Sequence, residues 1–141
     1  MRQEGNCIFC KIVRGDAPAV KVHEDDLTLT FMDISPASEG HTLVIAKEHF
    51  ENLLKIDGPT LIAVTLTTQR IAQAIQRALT PDGLRIGQFN GTAAGQTVFH
   101  YHVHIVPIRL GQRVGAHHGH GPGNLDEIRA VAEKIRAALR G

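Results

Sequence analysis

The stretch from Phe99 to Pro107 constrains the fold of this chain more than any other feature of the sequence. Three histidines alternate there with bulky apolar residues: His100, His102 and His104. A helix, with a period of 3.6 residues, would scatter these imidazoles around its axis, whereas a strand places alternate residues on one face. Neighbouring imidazoles on such a face are about 7 Å apart, close enough to act on one phosphate-sized group. We therefore predict a strand with the histidines on one face and these residues on the other: Phe99, Tyr101, Val103 and Ile105.

Length and charge limit the classes of function. A chain of 141 residues is most simply one domain, long enough to bury a real core. Its 15 basic and 14 acidic side chains give a formal net charge of +1, which argues against a nucleic-acid scaffold or a polybasic membrane binder. Tryptophan is absent and aromatic residues make up 4%, so platforms for base stacking are lacking. A small anionic ligand fits this composition, because local rather than net charge would hold it.

The N-terminal residues predict a cytoplasmic protein with a reduced cysteine pair. Residues 1–6 are polar, without the apolar core of a signal peptide, and no apolar run approaches the roughly 20 residues of a membrane span. In a reducing compartment, Cys7 and Cys10 indicate metal binding or redox chemistry more often than a structural disulfide. A redox pair expects a strand before the motif and a helix after it, a context the sequence does not offer. A zinc site needs two further ligands, and two small buried side chains are the third interpretation.

The remaining segments predict a sheet covered by two helices. Besides the histidine strand, residues 20–24, 27–31, 41–45 and 84–89 have strand patterns, and the third of these is apolar on both faces, as is typical of a central strand. One long helix follows the cap Asp57, and a last helix follows the cap Asn124. We predict a buried stripe on each helix: Leu61, Val64, Thr68, Ile71, Ile75 and Leu79 on the first, and Leu125, Ile128, Val131, Ile135 and Leu139 on the second.

The loop of residues 90–97 leads directly into the histidine strand. It is rich in small residues, and its backbone amides together with the Thr97 hydroxyl suit an anion, although a plain hairpin connection is the alternative. Three histidines at alternate strand positions span about 13–14 Å, too far for one zinc ion with bonds of about 2.0–2.1 Å, although two neighbours can share a metal. The other option is covalent catalysis, in which one neutral imidazole attacks phosphorus and a neighbour manages protons. An unperturbed histidine, with a pKa of about 6.5, is largely neutral at cytoplasmic pH.

Several segments, in order along the chain, resemble the histidine triad (HIT) family of nucleotide hydrolases and transferases. Residues 100–106 match the family signature, and residues 7–12, 33–36, 40–45, 47–49 and 90–97 match further segments. They cover about residues 5–110 of a single domain that we predict to span residues 1–141, with residues 111–141 as a variable tail containing a helix. The branch of bacterial, Hint-like purine nucleoside phosphoramidases is the most similar. The resemblance implies an α+β fold, a five-stranded antiparallel sheet with one long covering helix and a C-terminal helix, paired into a homodimer.

The resemblance also implies a reaction and the residues that perform it. His102 would attack the α-phosphorus of a nucleoside 5′-phosphoramidate or a related AMP-X substrate, and water would resolve the nucleotidyl-histidine intermediate. Asp33 would accept the ribose hydroxyls, and Thr97 stands where many phosphoramidases have serine. The implied catalytic residues are His102, His104, His41 and Thr97. The implied substrate-binding residues are Asp33, Ile34, Phe9, Ile12, Phe31, Leu43, Asn90, Gly95 and Gln96, of which Asn90 and Gln96 would hold phosphate oxygens or orient the imidazole.

A structural zinc ion follows from the same resemblance. In relatives with a Cys-x-x-Cys motif, both cysteines, a histidine after the third strand and the first triad histidine hold the metal. The corresponding residues are Cys7, Cys10, His49 and His100. This Cys₂His₂ set leaves no open position, which indicates a structural rather than a catalytic ion. The glycine-rich surroundings of a second histidine cluster favour a mobile loop over a metal site: His117, His118 and His120.

Three alternatives compete with a phosphoramidase. A dinucleoside polyphosphate hydrolase would use the same residues on a different leaving group. A nucleotide-binding regulatory partner with little turnover would not need a nucleophile, so the intact set of His41, His102 and His104 argues against it. A zinc-binding module without a reaction site would leave those histidines and the loop of residues 90–97 unused. We therefore expect an enzyme that binds a purine nucleotide, with neither nucleic acid nor membrane as a partner.

Overall fold

A computed structural model describes residues 1–115, 119 and 121–141, so the predicted loop cluster of His117, His118 and His120 lies outside the described residues. The elements are α1 (Ile8–Arg14), β1 (Lys21–Glu24), β2 (Thr28–Met32), β3 (Thr42–Ala46), α2 (Gly58–Leu79), β4 (Gly83–Gly87), a short 3₁₀ turn (Thr92–Ala94), β5 (His102–Ile108) and α3 (Leu125–Arg140). Within these ranges the predicted α+β architecture is confirmed, with five strands, a long helix and a C-terminal helix. None of the described helices is both long and apolar enough to cross a membrane.

The five strands form one antiparallel sheet in the order β1-β2-β3-β5-β4. β3 lies at its centre, and all five of its residues are buried, as its apolar pattern predicts. Its pairing with β5 places Leu43 opposite His104 and Ile45 opposite His102. The predicted histidine strand began too early, since β5 starts only at His102. The ladder stops there because the backbone N–H of Tyr101 donates to Phe50, beyond the end of β3, at 2.7 Å.

The two faces of the sheet carry different clusters, as the alternation in β5 predicts. Tyr101, Val103 and Ile105 lie in the core that α2 and α3 cover. His102 lies on the opposite face, where its ring meets the edge of Phe9 at a centroid distance of 5.0 Å. The apolar neighbours on that face form a smaller cluster: Phe9, Ile12, Leu29, Phe31, Leu43 and Ile45. The helical layer thus supplies the main core, and the opposite face contains a cavity beside His102.

The long helices begin at the predicted caps. The Asp57 side chain accepts a hydrogen bond from the Thr60 N–H at 2.8 Å, and Asn124 accepts one from the Glu127 N–H at 3.0 Å. Most of both predicted stripes is buried, and Ile71 is completely so, a burial that contributes about 1.5–3 kcal/mol for a side chain of this size. Leu125 is the exception at 42% exposure. It is the first helical residue, and α3 enters the core only from Ile128 onward.

Helix α1 is an element that the sequence pattern did not reveal. Seven residues are too few for a clear helical period, and isolated helices of this length are unstable in water. Tertiary contacts hold it, since Phe9, Cys10 and Ile12 are buried. The Cys7 side chain caps its first turn by accepting from the Cys10 N–H at 3.4 Å. The helix therefore presents both cysteines at its start and Phe9 to the histidine face.

Gly40 provides a test of how tightly the segment before β3 is packed. Its φ of +89° disfavours other residues, and an added Cβ would lie 2.5 Å from Leu79 Cδ1 and 3.1 Å from Pro107 Cγ. Gly111 has a similar φ of +82° with nothing within 4 Å of such a Cβ. We expect Gly111→Ala to cost about 1–2 kcal/mol from backbone strain alone. Gly40→Ala should cost about 1–3 kcal/mol more, because it also overpacks the core. Chemical denaturation of both variants measures the difference; equal losses would contradict the tight packing.

Candidate active site and metal centre

Pairing of β3 with β5 sorts the histidines into two groups at opposite ends of β3. His41 immediately precedes β3, and its Nε2 lies 3.0 Å from the Nδ1 of His104 in β5. His49 follows β3, and its ring centroid lies 5.1 Å from that of His100, just before β5. The first group lies beside His102, whose ring is 4.9 Å from that of His104. The second group lies beside the two cysteines.

His102 has the orientation of a nucleophile. Its Nδ1 lies 2.6 Å from the backbone carbonyl oxygen of His100. A carbonyl oxygen only accepts hydrogen bonds, so Nδ1 carries the proton of the neutral ring and Nε2 carries the lone pair. The ring is buried against Phe9 and also lines a cavity. This arrangement holds the imidazole in one tautomer and one direction.

His41 and His104 form a relay whose protons are set by the backbone. The Ala37 N–H donates to His41 Nδ1 at 3.0 Å, so neutral His41 carries its proton on Nε2. That N–H donates to His104 Nδ1, which leaves the proton of neutral His104 on its own Nε2. Asp33 lies 3.5 Å from His41 Nε2, where it stabilises a protonated ring. Next to His102, the relay can donate a hydrogen bond and move a proton.

A cavity of about 260 Å³ opens beside His102. Besides His102, the cavity is lined by two polar residues of the predicted site, Asp33 and Thr97. Ile34 lies at its outer side, with 57% of its area exposed. The predicted pocket residues that line this one cavity are Phe9, Ile12, Phe31, Asp33, Ile34, Leu43, Thr97 and His102. It is also lined by residues that the sequence reasoning missed, namely Ile8, Pro18, Ala19, Met32 and Val98. Ile8 belongs to the unpredicted helix α1, and the others had no chemical signature.

The predicted ligands in the loop of residues 90–97 divide between one that lines the cavity and others that hydrogen-bond within the protein. Thr97 lines the cavity with His102. Asn90 instead accepts hydrogen bonds from the Leu53 N–H and the Gln88 side chain, at 2.9 and 2.8 Å, through its Oδ1. Gln96 is buried and bonds within the protein. Gly95 ends the 3₁₀ turn with a φ of +102°, a conformation that suits glycine.

The second group brings together the four residues of the implied zinc site. The candidate ligand atoms of Cys7, Cys10, His49 and His100 all lie within 4.8 Å of one another. Cys7 Sγ is 3.3 Å from His100 Nδ1, and Cys10 Sγ is 3.3 Å from His49 Nδ1. Sulfur and nitrogen ligands of a tetrahedral zinc ion are about 3.5 Å apart, so these separations fit that metal.

Hydrogen bonds around the cluster also favour a metal. The His100 Nε2–H donates to the carbonyl oxygen of Ala46 at 2.5 Å, which leaves the Nδ1 lone pair directed at the thiols. Backbone N–H groups of Glu4 and Cys10 donate to the sulfurs of Cys10 and Cys7, both at 3.4 Å. Burial raises the pKa of the Cys10 thiol to about 11 and lowers the pKa of His100 to about 4, since the pocket disfavours charge on either group. A bound cation would offset that cost for a thiolate.

Arg2 supports the Cys/His cluster through His49, a contact that the sequence did not predict. Its Nε and Nη2 donate to the carbonyl oxygen of His49 at 3.0 and 2.6 Å, and the His49 N–H donates to the Arg2 carbonyl at 2.8 Å. The guanidinium also lies 5.4 Å from the ring centroid of Phe50. The polar N-terminal residues gave no signal for this contact, because it depends on a segment that is 47 residues away.

The family model described as the HIT domain matches residues 14–111. The chain belongs to the HIT domain family. Among HIT relatives, protein hit of Bacillus subtilis is 48% identical over 102 residues, which is 72% of this chain and 70% of the relative. Adenosine 5′-monophosphoramidase hnt1 of Schizosaccharomyces pombe is 36% identical over 141 residues, 96% of this chain and 99% of the relative. Adenylylsulfatase HINT3 of Arabidopsis thaliana is 39% identical over 104 residues, 74% of this chain and 53% of the relative.

Two solved HIT structures share the fold over nearly the whole chain. A Hit-like protein of Bartonella henselae superposes with a TM-score of 0.90 at 40% identity, over 98% of this chain and 99% of that one. A zinc-bound histidine triad family protein of Mycobacterium smegmatis superposes with a TM-score of 0.85 at 40% identity, over 96% and 94%. The relatives of this HIT protein thus include hydrolases. Its Cys/His cluster has the composition of a metal site.

Proposed function

We propose that this protein hydrolyses a nucleoside 5′-phosphoramidate, or a related AMP-X compound, at the α-phosphorus. The observation that carries the proposal is His102, which lines a mostly apolar cavity and whose Nδ1 lies 2.6 Å from the His100 carbonyl oxygen, so that the neutral ring has its lone pair on Nε2. A neutral imidazole held in one tautomer is suited to nucleophilic attack. A protein that only bound a nucleotide would not require an imidazole held in this way.

The cavity is suited to the nucleoside half of such a substrate. Its apolar walls, including Phe9 and Phe31, bury a flat base, and these two rings meet edge to face at 5.4 Å. Asp33 is the carboxylate at this cavity and accepts hydrogen bonds only, as ribose hydroxyls require. A nucleoside held between these groups brings its α-phosphate to His102 and Thr97.

The proposed reaction has two displacements at phosphorus. His102 Nε2 forms a bond to the α-phosphorus while the bond from phosphorus to the leaving nitrogen or oxygen breaks, and the leaving group departs with a proton. Water then attacks the same phosphorus, which releases AMP and restores the imidazole. His104, with its Nε2–H set by His41, donates to the charged phosphate and passes protons in both steps.

The names of two relatives support the AMP-X class. One is an adenosine 5′-monophosphoramidase and the other an adenylylsulfatase. The two activities share the adenylyl half of the substrate and differ in the leaving group. We infer that this protein also takes a substrate with an adenylyl group, because its cavity offers apolar walls for the base and Asp33 for the ribose.

Replacement of the nucleophile tests the reaction. With adenosine 5′-phosphoramidate, we expect His102→Ala to lower kcat by about a thousandfold or more, since the covalent step is lost. His23→Ala is the matched control, because His23 lies in β1 and contacts Asp25 rather than the cavity. AMP release followed by chromatography measures both. Equal turnover by His102→Ala and the wild type would rule out the proposed nucleophile.

We also propose that Cys7, Cys10, His49 and His100 hold a structural zinc ion. The fit of their separations supports this, as does the zinc bound by the related protein of Mycobacterium smegmatis. When bound, the ion would supply folding energy by joining α1 to the segment after β3. The reaction at His102 does not pass through it.

Metal analysis and thermal unfolding test the zinc proposal. We expect about one zinc per chain and a large fall in Tm for Cys7→Ser, because loss of one thiolate weakens a closed four-ligand site. Ser35→Ala is a control of similar size outside the cluster. A native protein that is metal-free and keeps its Tm in Cys7→Ser would contradict this site.

We propose in addition that two copies of the chain pair through β4. This strand ends the described sheet, and its Ile86 is half exposed. On α2, Ile62 and Leu66 are both about 60% exposed, although they are one turn apart on the outer side. An open strand edge and an exposed apolar helix face can each be self-complementary across a twofold axis.

Sedimentation velocity tests the pairing. We expect the wild type to be a dimer and Ile86→Glu with Leu66→Glu to be monomeric, because carboxylates of like charge would be buried in the interface without cationic partners. Leu125→Glu, at the start of α3, is the control and should leave the mass unchanged. A monomeric wild type, or a double variant that stays dimeric, would contradict pairing at this edge.

A further inference from the structure

Two buried amide side chains lie behind the loop that precedes β5. Gln96 comes directly before Thr97, yet only 3% of it is exposed, and Asn52 is 7% exposed. The Asn52 Nδ2 donates to the Gln96 Oε1 at 3.3 Å. Buried amides are costly unless they are fully hydrogen-bonded, so their positions are well defined.

Every hydrogen-bonding position of the Gln96 amide is used inside the protein. Its Oε1 accepts from Asn52 and also from the Gly91 N–H at 2.8 Å. Its Nε2 donates to the carbonyl oxygens of Glu51 at 2.7 Å and Val98 at 3.2 Å. A glutamine amide offers two donors and two acceptor lone pairs. Gln96 therefore has no group left to offer a phosphate.

These bonds fasten the loop of residues 90–97 at both ends. Gln96 reaches Gly91 through its side chain and also through its backbone N–H, which donates to the Gly91 carbonyl at 3.1 Å. Asn90 adds a further connection, since its Oδ1 accepts from the Leu53 N–H. The loop is thus anchored to the segment of residues 50–54.

That segment is itself fixed. The Asn52 Oδ1 accepts from the Leu54 N–H at 3.0 Å, and the Asn52 carbonyl accepts from the N–H groups of Lys55 and Ile56 at 3.0 and 3.1 Å. The Phe50 carbonyl accepts from the N–H of Tyr101, which immediately precedes β5. The anchor therefore has a defined conformation that it can impose on the loop.

We propose that Gln96, together with Asn52, is a positioning residue that fixes the phosphate-binding loop without touching the substrate. The inference rests on the proposed function, because it assumes that residues 90–97 meet a phosphate. A loop of small residues loses much conformational entropy when it binds a ligand. Because Gln96 orders the loop when the protein folds, that entropy is not lost on binding, and Thr97 and the loop amides are already in position for the nucleotide.

Binding of adenosine and of AMP separates this role from general stability. Adenosine occupies the nucleoside cavity alone, whereas AMP also uses the loop. We expect Gln96→Ala and Asn52→Ala each to keep the Kd of adenosine within about twofold and to weaken AMP by about tenfold, with kcat lower by about ten- to a hundredfold. Gln112→Ala, in the exposed turn after β5, is the matched control and should leave all three unchanged.

The Asn52 variant and the double variant distinguish positioning from direct contact. If Gln96 acts through Asn52, the double variant should bind AMP no more weakly than Gln96→Ala alone. Full AMP affinity in Asn52→Ala would overturn the inference, as would equal weakening of adenosine and AMP in Gln96→Ala. A wild type that binds AMP no better than adenosine would refute the proposed function, and the inference with it.

Discussion

The antiparallel pairing of β3 with β5 is the constraint on which both candidate sites depend. Because the strands run in opposite directions, a histidine before β3 meets the middle of β5, and a histidine after β3 meets the residue that precedes β5. His41 therefore joins His104, and His49 joins His100. A shift of the register by one residue would turn His102 into the helical core and separate both pairs. The apolar side chains of β3, buried on both faces, make such a shift costly.

Backbone groups decide what each histidine can do. The His100 carbonyl holds the proton of His102 on Nδ1, the Ala46 carbonyl holds that of His100 on Nε2, and the Ala37 N–H occupies Nδ1 of His41. The neutral rings of His102 and His100 thus direct a lone pair at a cavity and at two thiols, respectively, and the ring of His41 presents its Nε2 proton to His104. The three imidazoles are chemically alike, and the backbone hydrogen bond to one ring nitrogen determines whether the second nitrogen carries a proton or a lone pair.

The period-two alternation and the helix caps are local features, so the strands, the sheet faces and both long helices were predictable. The start of β5 at His102 was not, because it depends on the turn that Phe50 makes after β3. Helix α1 was missed because seven residues carry little periodic signal. For Gln96 the family resemblance implied a phosphate ligand or a residue that orients the imidazole, and only the tertiary structure reveals the Glu51 carbonyl, 45 residues away, as an acceptor for its amide. Family resemblance supplied what spacing could not, namely the grouping of Cys7 and Cys10 with two distant histidines.

The segment of residues 49–54 connects the two sites physically. It begins with His49 of the Cys/His cluster and continues through Phe50, whose carbonyl accepts from the Tyr101 N–H. Glu51 and Asn52 then hydrogen-bond to the Gln96 side chain. Six consecutive residues outside helices and strands would ordinarily be mobile. Here the Arg2 side chain donates to the His49 carbonyl, and the Asn52 side chain accepts from the Leu54 N–H in the turn that follows. The proposed zinc ion, which would do no chemistry itself, would therefore still serve the proposed reaction, because the order it would give to this segment extends to the loop beside His102.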